Sequence, residues 1–309
     1  MPQQRHRGTG PQPSTYDSWL RQYYGELLET LDVRCRDDSK PDYGWFRDLD
    51  DELWAILLTK HYSLYPNLRR ALPDLPKPAM QERFNGSSGV RLATSSTDFY
   101  RRLKSLYGNH GPRPLHESQV LDFGCGWGRL TRYLARDVAP GNLFGCDPNP
   151  EVLALCEQTR VPARLARSEE VPSSLPFRER FDLIYAYSVF THLSEDAHES
   201  CLRAIYDGLE RSGIMIVTVR PAAFITEVPA GQRLAPDGKM SALLGDAPTY
   251  AFAPHAGGPL ERGTFGEAVI NLPYIRERWD HLFSLLEVTL QMDNIYQVVV
   301  TLRRRDAPE

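Results

Sequence analysis

The chain is poor in the features that mark several large protein classes. Its five cysteines, Cys35, Cys125, Cys146, Cys156 and Cys201, are odd in number and widely spaced, with no Cys-x-x-Cys pair, so neither a disulfide framework nor a cysteine metal site is expected. No apolar run approaches the roughly 20 residues that cross a bilayer. The N-terminus is Pro, Gln, Arg, Gly and Ser, without the apolar core of a signal peptide. A basic excess is missing too: net charge is −4, and the short basic clusters (Arg5, His6 and Arg7; Arg303, Arg304 and Arg305) read as solvated tails. Nucleic acid and membrane are therefore not expected partners, and a reducing, cytoplasmic setting is. No internal repeat is evident.

What is present divides the 309 residues into three stretches. Residues 1–15 have nothing to bury and read as a disordered tail. Residues 16–115 read as a helical N-terminal cap region. Apolar positions at helical spacing (Leu20, Tyr23, Tyr24, Leu27, Leu28, Leu31) follow Asp17, a candidate N-cap. A second helix is expected over 50–62 and a third over 96–107, stopped by Gly108. Between them Pro66, Pro73, Pro76 and Pro78 break the chain, and 80–94 is Gly/Ser-rich around Arg83, Asn85, Gly86 and Gly89. This region serves as a layer packed on a sheet, as a lining for a pocket, or both.

From 116 onward strands and helices alternate, the pattern of a parallel sheet covered on both faces. Strands are expected at 119–123, 143–146, 163–166, 181–187 and 214–219, with helices over 128–136, after Asn149-Pro150, and after Ser194. Residues 221–267 are dense in Gly and Pro and form an insert without a sustained period; loops of that length are usually functional or disordered. A helix opening at Asn271-Pro273 and two β-rich runs, 285–292 and 295–302, joined by Asp293-Asn294, close the chain as an antiparallel hairpin.

The centre of this pattern is the run from Val120 to Leu134. Apolar residues end in Asp122, and Gly124, Gly126 and Gly128 then alternate before a helical pattern begins. Glycine lets a backbone turn that sharply and lets a ligand touch it. In open α/β sheets this is where ligands bind, outside the carboxyl ends of the strands. The dinucleotide fingerprint is G-x-G-x-x-G; here the spacing is G-x-G-x-G and the dinucleotide pattern's third glycine position is Arg129, so a pyrophosphate cradle is disfavoured. A second carboxylate, Asp147, ends the next strand, where it can accept two hydrogen bonds from a ribose diol.

These residues resemble the class I S-adenosylmethionine-dependent methyltransferases. The resemblance covers roughly 118–220 and the closing hairpin. It rests on Leu121-Asp-Phe-Gly-Cys-Gly-Trp-Gly-Arg129, Gly145-Cys-Asp-Pro148, Phe181-Asp-Leu-Ile184 and Ser188-Val-Phe-Thr-His-Leu193, the last similar to a run in bacterial members that modify small molecules or sugars. It implies an α/β, Rossmann-like seven-stranded sheet with an antiparallel last strand, flanked by helices, and S-adenosyl-L-methionine as cofactor. Gly124, Gly126 and Gly128 would pass under its methionine part, and Asp122 would hold the amino group. Asp147 would hold the ribose hydroxyls and Pro148 would lie near the adenine, edged by residues 167–169. The backbone at Tyr187 and Ser188 would close the sulfonium end.

Methyl transfer asks mainly for positioning. For a hydroxyl acceptor a general base adds about 10²–10⁴-fold, and His192, just past the fourth strand, is the candidate; the alternative is that it packs or hydrogen-bonds at a helix start. Tyr187 is a second catalytic candidate. His61, His110, His116, His198, His255 and His281 show no metal-ligand spacing and read as surface or loop residues. The Asn/Asp-Pro-Pro-aromatic run of nucleic-acid N-methylating relatives is replaced by Tyr185-Ala-Tyr-Ser-Val-Phe190, and the paired-glutamate loop of arginine-modifying relatives is missing. The expected activity is methyl transfer to an oxygen or nitrogen of a small molecule or sugar-containing metabolite. The alternative is a cofactor-binding or partner subunit with the same fold and no activity.

Overall fold

The computed structural model describes residues 15–36, 42–229, 231–234, 243–255, 263–291, 294 and 296–306. Residues 1–14 of the expected tail at 1–15, and the Asp293 half of the hairpin connection, lie outside them; Thr15 is already helical. Helices α1 (Thr15–Arg34), α2 (Asp51–Thr59), α3 (Pro66–Ala71), α4 (Pro78–Asn85) and α5 (Gly89–His110) come first. Strands β1 (Val120–Phe123), β2 (Leu143–Asp147), β3 (Arg164–Arg167), β4 (Phe181–Ala186) and β5 (Leu209–Val219) then alternate with α6 (Thr131–Leu134), α7 (Pro150–Gln158) and α8 (Glu195–Gly208). The chain ends with α9 (Ala223–Glu227), β6 (Tyr250–Pro254), β7 (Gly266–Ile270), α10 (Leu272–Arg278), β8 (Phe283–Leu290) and β9 (Val298–Arg304).

The main sheet has seven strands in the order β3-β2-β1-β4-β5-β9-β8. The first five are parallel, and β9 runs antiparallel to both β5 and β8. This is the expected Rossmann-like architecture with an antiparallel last strand. The strand order reverses between β1 and β4, which places the ligand-binding crevice at their carboxyl ends. The central strands are buried along their whole length, as apolar runs covered on both faces must be.

The helices before residue 111 cover one face of this sheet. Leu53, Trp54, Leu57, Phe99, Leu103 and Tyr107 share a single apolar cluster with Val120, Leu183, Ile214 and Val299. Arg136, 1% exposed, fixes the two layers together. Its guanidinium donates to Leu49 O at 2.7 Å, pairs with Asp51 and lies over the Trp54 ring.

Several local readings are corrected. Asp17 does not cap α1 from outside; it sits inside the first turn, fully buried, and accepts from Ser63 N at 2.6 Å and Leu64 N at 3.0 Å. Pro66 and Pro78 start helices rather than ending them, because the first turn needs no N–H from them. The third helix starts at Gly89 and runs through Gly108 to His110; burial of Leu92, Phe99, Leu103, Leu106 and Tyr107 on one stripe outweighs the ~1 kcal/mol a helical glycine costs. The helix expected from Gly128 begins only at Thr131, since Gly128 has φ +73° and cannot join a right-handed turn. Arg303, Arg304 and Arg305 are no tail: Arg304 belongs to β9, donates to Leu209 O and covers Tyr206. All five cysteines are buried. No helix among the described residues is long and apolar enough to cross a membrane.

The insert is not featureless. Its described part contains α9 and β6, and β7 overlaps its end; β6 and β7 pair antiparallel over a small cluster of Phe224, Ile225, Leu234, Leu243, Ala251 and Val269. This small sheet is stitched to the segment after β4: Gly266 N donates to His192 O at 2.7 Å and Ala268 N to Thr191 O at 2.9 Å.

Candidate functional site

One cavity of about 1260 Å³ opens at the carboxyl ends of β1, β2, β4 and β5. Pockets for a single drug-sized ligand measure ~300–1,000 Å³, so this one exceeds the usual space of one ligand. Its lining includes Asp122, Gly124, Gly126, Asp147, Pro148, Tyr187, Ser188 and His192, eight of the nine residues expected at the site.

The exception is Gly128. A Cβ there would meet Val161 Cγ2 at 2.7 Å and Cys156 Sγ at 3.2 Å, so this glycine faces the underside of the turn and lets α7 pack close. Gly124 has φ +74°, and its Cβ position lies 2.4 Å from Val189 Cγ2. Gly126 differs: its φ is +55° and nothing lies within 4 Å of a Cβ, leaving open space above the backbone on the cavity side. That is the cradle a ligand placed against the main chain requires.

Asp147 holds this turn from the next strand. Its Oδ2 accepts from Gly126 N and its Oδ1 from Asn149 N, both at 2.9 Å. Each oxygen keeps a further lone pair for a ligand hydroxyl. Burial raises its pKa, against the pull of those two N–H groups. Asp122 is 3% exposed and accepts from Thr131 Oγ1 at 2.6 Å. Burial pushes it up to about 6, although Thr131 and the Arg129 guanidinium favour the carboxylate. A buried carboxylate so destabilised gains from a cationic ligand. Arg129, 8% exposed, donates to Ser96 Oγ at 2.9 Å and lies 4.8 Å above the Tyr187 ring, with no carboxylate within ion-pair distance among the described residues. A carboxylate and an unpaired guanidinium thus stand at one end of the cavity, the complement of a zwitterionic amino acid. In the sequence Arg129 only rejects a dinucleotide; the buried turn position it occupies before α6 is not visible there.

Tyr187 packs edge-on against Phe99, with centroids 4.5 Å apart. Ser188 is left-handed, φ +61°; its N–H donates to Thr218 Oγ1 at 2.7 Å and its Oγ accepts from Gln297 at 3.1 Å. Of the stretch 167–169 none reaches the cavity; Glu170 does. The corner between α4 and α5 supplies Arg83, Phe84, Asn85, Arg91 and Leu92. The helical layer therefore contributes to the pocket as well as to the core. Tyr274 and Trp279 sit instead in the core around His198, which is fully buried and held well down, to about 3, by that burial.

At the opposite end stands a cluster that only the tertiary fold assembles. His192 Nδ1 donates to Gly266 O at 2.7 Å, which leaves Nε2 to accept from Arg220 at 3.3 Å. Burial and the Arg220 charge push His192 down to about 4. It is a neutral hydrogen-bond acceptor, not a proton acceptor poised at neutral pH. Arg220, just past β5, pairs with Glu267 on β7 and donates to Thr191 O at 2.6 Å. Burial lowers its pKa and Glu267 opposes that. Glu267 also holds His255: His255 Nε2 lies 2.9 Å from Glu267 Oε1. His192, His255 and Glu267 bring one ligating atom each within 4.8 Å of one another. His255 and Glu267 come from the insert, where no periodicity marked them.

Residues 120–213, just under a third of the chain, match the family model described as a methyltransferase domain. Two curated relatives are named ubiquinone biosynthesis O-methyltransferase. The one from Azorhizobium caulinodans is 33% identical over 112 residues, 34% of this chain and 42% of the relative. The one from Methylobacterium sp. (strain 4-46) is 36% identical over 91 residues, 28% of this chain and 35% of the relative. The chain thus spans less than half the length of either. Among solved structures, a S-adenosylmethionine-dependent methyltransferase from Clostridium acetobutylicum aligns at 14% identity and TM-score 0.49, over 74% of this chain and 97% of that one.

Proposed function

We propose that this chain, whose residues 120–213 match a methyltransferase-domain model, is a class I S-adenosylmethionine-dependent enzyme that transfers a methyl group from that donor to an oxygen or nitrogen of a small molecule or sugar-containing metabolite. The observation that carries the reading is the turn at Gly126. A left-handed glycine opens onto the cavity, its N–H is held by Asp147, and Asp122 stands beneath.

The residues fit the donor part by part. In this reading Asp147 accepts the ribose hydroxyls with the lone pairs its backbone partners leave. Gly124 and Gly126 let the amino-acid portion lie against the main chain. Asp122 faces the ammonium and Arg129 the carboxylate, so that two buried charges with few partners of their own each gain one. Pro148 and Val152 border the adenine. When bound, the donor supplies an electrophilic methyl carbon on a sulfonium centre. The chain's work is to aim it: Tyr187 and Ser188 bound the space where the methyl would project, and the volume beyond, toward Arg220 and His255, takes the acceptor. Holding two reactants in line contributes up to about 7–11 kcal/mol to a transfer of this kind. The names of the two curated relatives support an oxygen acceptor.

The test is thermal denaturation with S-adenosylmethionine and S-adenosylhomocysteine. A ligand at 100 times its Kd stabilises the fold by about 2.7 kcal/mol. A rise in Tm with both, followed by turnover on a panel of hydroxyl and amine acceptors, is expected. No rise with either would sink the reading, and a rise without turnover would favour a binding subunit.

A further inference from the structure

We propose that His255 and Glu267 form the proton-accepting pair of the acceptor site, and that the acceptor is therefore a hydroxyl compound, a phenol above all. This rests on the donor reading and adds to it the chemistry of the second reactant.

The geometry defines the pair. Glu267, 7% exposed, has only acceptor oxygens, so the proton between it and His255 Nε2 belongs to the imidazole. That fixes the tautomer. His255 Nδ1 carries the lone pair, on a ring that lines the cavity and has no second partner among the described residues. The remaining Glu267 oxygen is held by Arg220, which in turn donates to His192 Nε2 and Thr191 O. The carboxylate is thus locked on both sides, and the order Arg220–Glu267–His255 leaves one basic nitrogen open on a ring that lines the cavity. A carboxylate behind an imidazole orients it and stabilises the imidazolium once a proton arrives. An amine acceptor attacks with its own lone pair and needs no such group beforehand; a hydroxyl does.

The same three side chains offer a ligand set for a divalent ion. Arg220 argues against that use. Its two terminal nitrogens already bond Glu267 and His192, so the cation this donor set calls for is a guanidinium supplied by the chain. The aromatic surfaces nearby select the acceptor class. Phe265 stacks on His192 with centroids 4.9 Å apart and planes 15° from parallel, and Phe265 and Tyr296 also line the cavity. A flat ring lying on such faces brings its hydroxyl to the rim where His255 stands.

The step balances. The acceptor oxygen forms the bond to the methyl carbon as the sulfur–carbon bond breaks and its electron pair returns to sulfur. The hydroxyl proton passes to His255 Nδ1, Glu267 stabilises the resulting cation, and the proton leaves to solvent when the product departs.

The experiment uses the full chain with S-adenosylhomocysteine bound and 4-nitrophenol as probe, read by the visible band of its phenolate. Binding is expected to ionise the probe at a pH where the free probe is mostly protonated. In His255→Gln the ratio of phenolate to phenol in the bound probe should fall tenfold or more, about the size of one lost hydrogen bond to a charged group. Glu267→Gln should move it the same way. A probe that does not bind, binds protonated, or ionises equally in His255→Gln overturns the pair. Ionisation that requires added Zn²⁺ and disappears with a chelator assigns the site to a metal and overturns it as well. If S-adenosylhomocysteine itself does not bind, the donor reading fails first and this inference falls with it.

Discussion

At the scale of single residues, the three glycines of the turn separate into distinct physical roles. Gly124 and Gly128 have no room for a side chain, whereas Gly126 has room but a left-handed backbone. Alanine at Gly126 therefore costs the fold about 1–2 kcal/mol of conformational strain and little else. Its methyl would stand where the donor is proposed to lie. Gly126→Ala should fold with a modest loss in Tm and bind S-adenosylhomocysteine at least tenfold more weakly by calorimetry. Gly124→Ala should lose several kcal/mol in chemical denaturation, since Val189 Cγ2 lies 2.4 Å from the new atom. Equal loss of stability in both variants would mean that the open side of Gly126 has no special use. The spacing of the three glycines was legible in the sequence. Which of them faces the ligand was not, because that depends on Val161 and Cys156 arriving beneath Gly128 and Val189 beside Gly124.

At the scale of elements, the helical layer is joined to the sheet by buried charge as well as by apolar packing. Arg136 and Arg132 are both within 1% of complete burial. Arg132 binds the main chain at Gly128 and Trp127 and so ties the glycine turn to the helix that follows it. Leaving a buried acceptor without its donor costs about 1–3 kcal/mol. Arg136→Ala should lose that much in urea denaturation, because the carbonyl of Leu49 would be stranded while Asp51 keeps Lys104 at 2.9 Å. A loss below 1 kcal/mol would show the two layers to be held by apolar contact alone. Such ties explain what sequence reading could and could not recover here. Strand positions, and the helix caps at Asn149, Ser194 and Asn271, follow from local patterns and appear where expected. The start of α5 at Gly89, the short helices behind Pro66 and Pro78, and the pairing of β6 with β7 depend on surfaces that distant residues provide.

At the scale of the whole molecule, ionisation of the buried groups sets the response to acid. His192 and His198 are pushed down from 6.5 to about 4 and about 3. Groups kept neutral in the fold stabilise it above pH 6.5, and that stability is lost as pH falls toward their folded values. Asp122 acts in the opposite sense: raised from 3.8 to about 6, it makes the fold more stable as it takes up a proton. Asp147, also raised by burial, acts with Asp122, but the histidines are displaced furthest, so Tm should fall between pH 6.5 and pH 4, and a flat or rising Tm across that window would contradict these assignments. The donor end of the cavity was readable before any fold was known, since its carboxylates and glycines lie in two short runs. The acceptor end was not, because Arg220, His255 and Glu267 come from three separate segments that β7 draws together against residues 191–194. The central claim is that the Gly126 turn with Asp122 and Asp147 holds S-adenosylmethionine. Its most direct test is calorimetric titration of the full chain with S-adenosylhomocysteine at pH 7.5 and pH 5. The account predicts one site per chain, with weaker binding at pH 5, where protonated Asp122 no longer attracts the ammonium. Absence of binding at either pH would contradict it.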